Sequence, residues 1–142
     1  MRRERYAHPA LGFFGDFIYS GGRWGNAAGS QYLRLSIHDS DIATVEYQPA
    51  APPASGVCYL GYEPREYFED PSASAPVNTD AEAAGLAAWA NRVTGASVNA
   101  DVLRGLMAAE GKEPEDVFVE ETARHLLGLL GLSVPPDLAA EI

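Results

Sequence analysis

The feature that most constrains the fold is a change of hydrophobic period near residue 79. Between Gln31 and Gln48 apolar and polar side chains alternate, which indicates half-buried strands because successive side chains of a strand point to opposite faces. From Thr79 onward apolar residues recur every three or four positions, the period of an amphipathic helix. Strands that precede helices favour an α+β fold. We therefore predict an antiparallel meander of about four strands followed by three helices packed on one face.

Four segments are predicted as strands because they alternate in polarity or are rich in aromatic strand formers. They are Leu11–Tyr19, Gln31–Ile37, Ile42–Gln48 and Val57–Tyr62. The middle pair forms a hairpin around His38-Asp39-Ser40-Asp41, whose short polar side chains satisfy tight turns. The segment Ser20–Ser30 holds four glycines and is predicted as a flexible or sharply turning loop.

Helix start and stop signals give three helices, with a short final turn or helix after Pro135. The helices are Thr79–Thr94, Asn99–Glu110 and Pro114–Leu130. Thr79 and Glu82 have the spacing of a capping box, and Asn99 is a favoured N-cap residue. The predicted core stripes contain Leu86, Trp89, Ala90, Val93, Val102, Leu103, Leu106, Met107, Val117, Phe118, Ala123, Leu126, Leu127 and Leu130. The chain thus divides into a sheet portion (1–62), an irregular loop (63–78) and a helical portion (79–142) of one domain.

The charge, the cysteine count and the length of apolar runs limit which partners and which cellular compartment are expected. The net charge of −10 argues against nucleic acid or an anionic membrane, and it favours a basic protein partner or simple solubility. Cys58 is the single cysteine, so no intramolecular disulfide can form, and we predict it to be a buried strand residue. With no apolar run long enough for a signal peptide or a membrane span, a cytoplasmic protein is expected. One lysine beside nine arginines suggests a bacterial genome rich in G and C.

The residues offer candidate catalytic or metal sites, but no reaction motif. His38, Asp39 and Asp41 could bind a metal or orient a general base, yet the same residue types are selected by hairpin turns. We predict the turn and expect no metal and no cofactor. His125 is predicted to have a partly buried structural role. The glycines near Trp24 lack the spacing of a P-loop or a dinucleotide fingerprint.

The most distinctive surface candidate combines aromatic, arginine and acidic residues in two loops. Aromatic residues and arginine dominate binding hot spots, and carboxylates steer a basic partner. The predicted partner-binding residues are Arg23, Trp24, Tyr62, Arg65, Glu66, Tyr67, Phe68, Glu69 and Asp70. The alternative is that Tyr67 and Phe68 fix the loop to the core while the acids face water.

In size, charge, strand-then-helix order and its acidic-aromatic loop, the chain resembles in general build the immunity proteins that bacteria encode beside polymorphic toxins. That resemblance implies a non-enzymatic inhibitor that binds a cognate, often basic, toxin domain and blocks its active site with carboxylates. One alternative is an acidic secretion or folding chaperone for an effector. Another is a small-ligand domain or enzyme that uses His38, Asp39 or the Trp24 loop. Gly128 in the third helix could allow close helix packing, within the chain or across a homodimer.

Overall fold

The fold is an antiparallel sheet followed by helices, as a computed structural model of residues 12–67, 76–109, 112–114 and 116–139 shows. The strands are β1 Gly15–Ser20, β2 Arg23–Trp24, β3 Tyr32–His38, β4 Ile42–Gln48 and β5 Val57–Gly61. They form one five-stranded sheet in the order β2-β1-β3-β4-β5, with every pair antiparallel. The α+β class is confirmed. The extra strand, β2, lies within the segment that was predicted as a loop.

The alternation of polarity decides which strand residues are buried. Along β4, whose bounds match the prediction, every second residue is buried and the intervening ones are half exposed. The turn between β3 and β4 is also confirmed, since Asp39 and Ser40 adopt φ angles of 53° and 56°. Short polar residues tolerate this left-handed conformation better than bulky ones do.

Within the described residues four α-helices follow the sheet. They are α1 Thr79–Thr94, α2 Ala100–Leu106, α3 Val119–Leu129 and α4 Pro136–Ala139, and a 3-10 helix, Pro64–Tyr67, comes before them. The N-cap of α1 is Asn78 and not Thr79, because the Asn78 side chain accepts a hydrogen bond from the Ala81 N–H. Asn99 caps α2 as predicted.

Two helices are shorter than predicted. α2 ends at Leu106, because Met107 adopts an extended conformation and pairs with Leu60 of β5. α3 begins at Val119 instead of Pro114, since Phe118 is extended and the Val119 N–H donates to the Ser40 carbonyl. Three residues placed in the apolar stripes are exposed, which corrects the prediction: Val102 within α2, and Val117 and Phe118 before the start of α3.

One core cluster joins buried residues of the central strands with residues from all four helices. Trp89 is fully buried, as predicted, and its indole N–H donates to the Gln48 carbonyl at 2.9 Å. Cys58 is also fully buried, and burial raises the pKa of its thiol. The prediction that all helices share one face of the sheet stays a prediction.

A buried carboxylate connects α1 to the β4–β5 connection. Glu82 is almost fully buried and accepts hydrogen bonds from the Tyr47 hydroxyl (2.6 Å), the Ser55 N–H and hydroxyl (2.7 and 3.0 Å) and the Gly56 N–H (3.1 Å). Burial, and then this bond to Glu82, raises the pKa of Tyr47. Glu82 thus fixes the helix start against the sheet. The capping-box role assigned from its spacing is wrong.

Gly128 has no close neighbour in the part of the chain that the structure describes. It is exposed, and a Cβ built on it would meet nothing within 4 Å. Close packing against another helix of the same chain is therefore wrong, while the homodimer stays a prediction. The helical glycine with a tight neighbour is Gly85, whose Cβ would lie 2.5 Å from the Tyr47 hydroxyl.

Candidate functional site

The glycine-rich segment positions its aromatic residue against the fold. Gly21 and Gly22 turn the chain with φ angles of 62° and 86°, so Arg23 and Trp24 pair with the end of β1. The Trp24 ring lies 5.3 Å from that of Tyr19, and its indole N–H donates to the Ser133 carbonyl at 2.9 Å. Trp24 is half-buried on the connection between α3 and α4, whereas Arg23 is exposed. Their role in binding a partner stays a prediction.

The second predicted loop is partly internal. Tyr62 and Arg65 are buried, and the Tyr62 hydroxyl donates to the Glu113 carboxylate at 3.0 Å. Glu66 is half-buried and accepts a hydrogen bond from the Glu63 N–H. Burial removes Tyr62 and Arg65 from the surface that a partner could reach in this conformation.

The remaining residues of that loop lie outside the described residues. They are the side chain of Tyr67 together with Phe68, Glu69 and Asp70. Their assignment as partner-binding residues stays a prediction, as does that of Glu66. That this loop and the Arg23–Trp24 segment form one binding surface therefore also stays a prediction.

The hairpin tip connects two segments that are distant in the chain. The Ser40 N–H donates to the Phe13 carbonyl (3.0 Å), and the Ser40 hydroxyl accepts from the Phe13 N–H (2.8 Å). The same hydroxyl donates to the buried Glu120 carboxylate (3.0 Å), and the Ser40 carbonyl accepts from the Val119 N–H (3.0 Å). Ser40 thus joins the segment before β1 to the start of α3. Sequence reasoning identified the turn but missed these partners, which lie far away along the chain.

Exposed apolar side chains flank this hairpin tip. Phe14 is 60% exposed, and Val117 and Phe118 are each 39% exposed. The Phe14 ring packs edge-on against His38, with ring centroids 5.0 Å apart. Asp39 lies in the same turn. We name Phe14, His38, Asp39, Val117 and Phe118 the hairpin-end surface. It combines aromatic and aliphatic contacts with a carboxylate, although the sequence offered no periodic signal for it.

The outward face of the sheet carries charges that are already compensated. Arg34 donates two hydrogen bonds to the Asp16 carboxylate, at 2.9 and 2.6 Å, and the Ser36 hydroxyl donates to the same group. The bond from Arg34 lowers the pKa of Asp16. Beside them the Tyr32 hydroxyl donates to Glu46, which raises the pKa of Tyr32. This face presents paired groups and little net charge.

A cavity of about 150 Å³ lies between the end of α2 and α3. Its polar lining includes Lys112, Asp116, Thr122 and His125. The Lys112 ammonium donates to the carbonyls of Gly105 and Met107, and the Thr122 hydroxyl donates to Asp116 at 2.6 Å. These groups serve the fold by holding the helix ends. His125 is exposed at this cavity, so its predicted partly buried role is wrong.

Metal ligation and membrane insertion find no support in the described ranges. There, no three His, Cys, Asp or Glu side chains cluster as metal ligands would. No helix in the same ranges has both the length and the apolar character needed to cross a bilayer.

No protein family, curated protein or solved structure matches this chain.

Proposed function

We propose that this chain is a non-enzymatic module that binds a basic protein partner, in the manner of an immunity protein that inhibits a cognate toxin. The observation that carries the proposal is the hairpin-end surface, where Phe14 is 60% exposed, and where Val117 and Phe118, just before the Val119 that Ser40 holds, are each 39% exposed. Single exposed apolar residues are ordinary, but a group of them around one turn is typical of an interaction site. Aromatic side chains supply most of the binding energy at such sites.

The charge of the chain supports a basic partner. The sequence carries 20 acidic and 10 basic residues. Asp39 on the hairpin-end surface and Glu121 in the first turn of α3 contribute carboxylates near the exposed aromatic residues. Long-range attraction of this kind raises the association rate and weakens as salt screens it. An acidic toxin would be repelled.

A catalytic role has weaker support. At the cavity beside α3, Lys112 is engaged with the Gly105 carbonyl, and Thr122 is engaged with Asp116. His38 packs against Phe14, and Asp39 forms the turn. The alternative of a small-ligand domain or enzyme therefore rests on no arrangement of these residues. The chaperone alternative is separated from the immunity proposal by the identity of the neighbouring gene product.

The test uses the protein encoded beside this chain in its genome as the candidate partner. We expect a stable complex whose association rate falls with added salt. Phe14→Ser should accelerate dissociation by about tenfold or more, as the loss of an aromatic anchor does. Val102→Ser is the matched control, because Val102 is 46% exposed on α2, away from the hairpin end, and its replacement should change nothing.

Two results would contradict the proposal in different ways. A neighbouring gene that encodes a secretion effector, held as an unfolded segment, would favour the chaperone. Equal kinetics for Phe14→Ser and wild type would move the surface elsewhere. Reversal of Glu69 and Asp70 to Lys would then test the other loop, because it should slow association at low salt.

A further inference from the structure

The alternation of hydrogen bonds along β1 shows which of its backbone N–H and C=O groups point away from β3. In an antiparallel pair, alternate residues direct both the N–H and the C=O to the same side. The Phe13 carbonyl accepts from Ser40, on the β3 side. The Ile18 carbonyl accepts from the Gly25 N–H at 2.9 Å, on the opposite side. It follows that Phe14, Asp16 and Ile18 direct their backbone groups away from β3.

Within the described ranges, that outer side of β1 is covered along a small part of its length. β2 has two residues and pairs with Tyr19 and Ser20. Among the described residues, the N–H and C=O groups of Phe14 and Asp16 have no backbone partner on this side. The opposite edge of the sheet, β5, has backbone partners outside the sheet. Met107 pairs with Leu60, and the Ala108 N–H donates to the Tyr59 carbonyl.

The side chains beside this edge alternate in character. On the core side, Phe17 stacks with Phe13 at 6.4 Å and meets Trp24 edge-on at 6.4 Å, and all three rings are half-buried. On the outward side lie Phe14, which is exposed, and the carboxylate of Asp16. A strand added here would place every second side chain against the aromatic rings and the others beside Phe14 and Asp16.

We propose that the β1 edge binds an extended segment of the partner protein, in which apolar residues alternate with basic ones. The backbone ladder gives affinity in this mode of recognition, and the alternating side chains give specificity. Apolar residues suit the rings of Phe17 and Trp24, and cationic residues suit the exposed face of Phe14. The inference rests on the proposed function and names the binding mode.

A second copy of the chain is a poorer occupant of this edge. The two-fold register that uses the whole edge pairs Phe14 with Ile18 and places Asp16 directly opposite Asp16 of the other copy. Like charges in a cross-strand pair are destabilising. Each copy also carries a net charge of −10. Charge therefore favours a basic partner over self-association.

The first test titrates the intact chain with a short blocked peptide of alternating valine and lysine, followed by amide NMR and hydrogen exchange. We expect slowed exchange at the amides of Phe14 and Asp16, whose outward groups have no backbone partner among the described residues. The amides of Gly15 and Phe17 face β3, so they should stay unchanged and serve as internal controls. The matching valine–glutamate peptide should not bind.

The second test compares two substitutions at Asp16. Asp16→Pro and Asp16→Ala both remove the contacts with Arg34 and Ser36, but proline alone also removes the outward N–H. The ladder with β3 does not use that N–H, so both variants should keep the fold. The peptide should bind Asp16→Pro about tenfold more weakly than Asp16→Ala.

The outcomes separate this inference from the proposed function. If the neighbouring gene product binds while the amides of Phe14 and Asp16 stay unprotected, the edge proposal is overturned and the function stands. If that protein does not bind at all, the function falls, whatever the peptide does. Equal binding of the lysine and glutamate peptides would overturn the basic class of ligand. A dimer abolished by Asp16→Pro and kept by Asp16→Ala would show that the occupant is a second copy.

Discussion

The hydroxyl of Tyr47 donates a 2.6 Å hydrogen bond to the carboxylate of Glu82, in a buried position between β4 and the first turn of α1. Two backbone N–H groups and a serine hydroxyl converge on the same carboxylate. A buried carboxylate is tolerated in proteins when hydrogen-bond donors surround it in this way.

Replacing this carboxylate should destabilise the fold. In Glu82→Gln, an amide group would face donors in place of an acceptor oxygen, so at least one buried donor would lose its partner. We expect the free energy of unfolding to fall by about 1–3 kcal/mol. Glu121→Gln makes the same chemical change at an exposed site of α3 and should stay within about 0.5 kcal/mol of wild type. Urea unfolding of both variants measures the difference.

Trp89 should be the most costly aromatic residue to truncate. It is fully buried, and its indole N–H is bonded to the Gln48 carbonyl. Trp89→Ala should lower stability by about 3–5 kcal/mol through the cavity that it leaves. Trp89→Phe keeps most of the packing but leaves the carbonyl unpaired, for a cost of about 1–3 kcal/mol. A thermal midpoint unchanged in the alanine variant would rule out this packing.

Replacing two helical glycines with alanine should change the free energy of unfolding in opposite directions. At Gly85 the added Cβ would lie 2.5 Å from the Tyr47 hydroxyl and 2.8 Å from the Ala54 Cβ, so Gly85→Ala should cost about 1–3 kcal/mol. At Gly128 the Cβ would meet nothing within 4 Å, so Gly128→Ala should add about 0.5–1 kcal/mol. Chemical denaturation measures both effects. A loss at Gly128 that grows with protein concentration would indicate the homodimer.

Stability should decline at alkaline pH because of Cys58. Burial, with a smaller contribution from Glu82, raises the pKa of this thiol above its ordinary value of 9.0. The folded chain therefore holds the proton after the unfolded chain has lost it. This contribution is fully present below about pH 9 and is lost as the pH rises further. Cys58→Ala should show a shallower decline above pH 9 in urea titrations, and an equal slope would contradict this origin.

The sequence predicts an element well where local signals coincide with the tertiary environment. The bounds of β4 follow from strict alternation after a polar turn, and those of α1 follow from its apolar period and the Gly95 terminus. Local patterns cannot reveal partners that lie far away in the chain. The spacing of Glu82 suggested a cap, but its donors come from Tyr47 and the Ser55–Gly56 backbone, 26 to 35 residues earlier.

The same limit explains why the hairpin-end surface was missed. Val117 and Phe118 fit an apolar stripe if α3 starts at Pro114. The bond between Val119 and Ser40 instead holds this segment extended before the helix. Conversely, Tyr62 and Arg65 match the composition of a binding loop but are buried. Composition alone does not distinguish an exposed loop from one whose tyrosine and arginine side chains are buried.

The bonding of Ser40 determines where this chain can be opened or extended by an experimenter. Hairpin tips are usual places for a tag, a fused domain or new termini in a circular permutant. Here a break between Asp39 and Ser40 would disturb contacts both to Phe13, before β1, and to Val119, at the start of α3. The turn at Gly22 is exposed and has open space around it. We therefore expect insertions and permutations at Gly21–Gly22 to be tolerated better than those at the Ser40 turn.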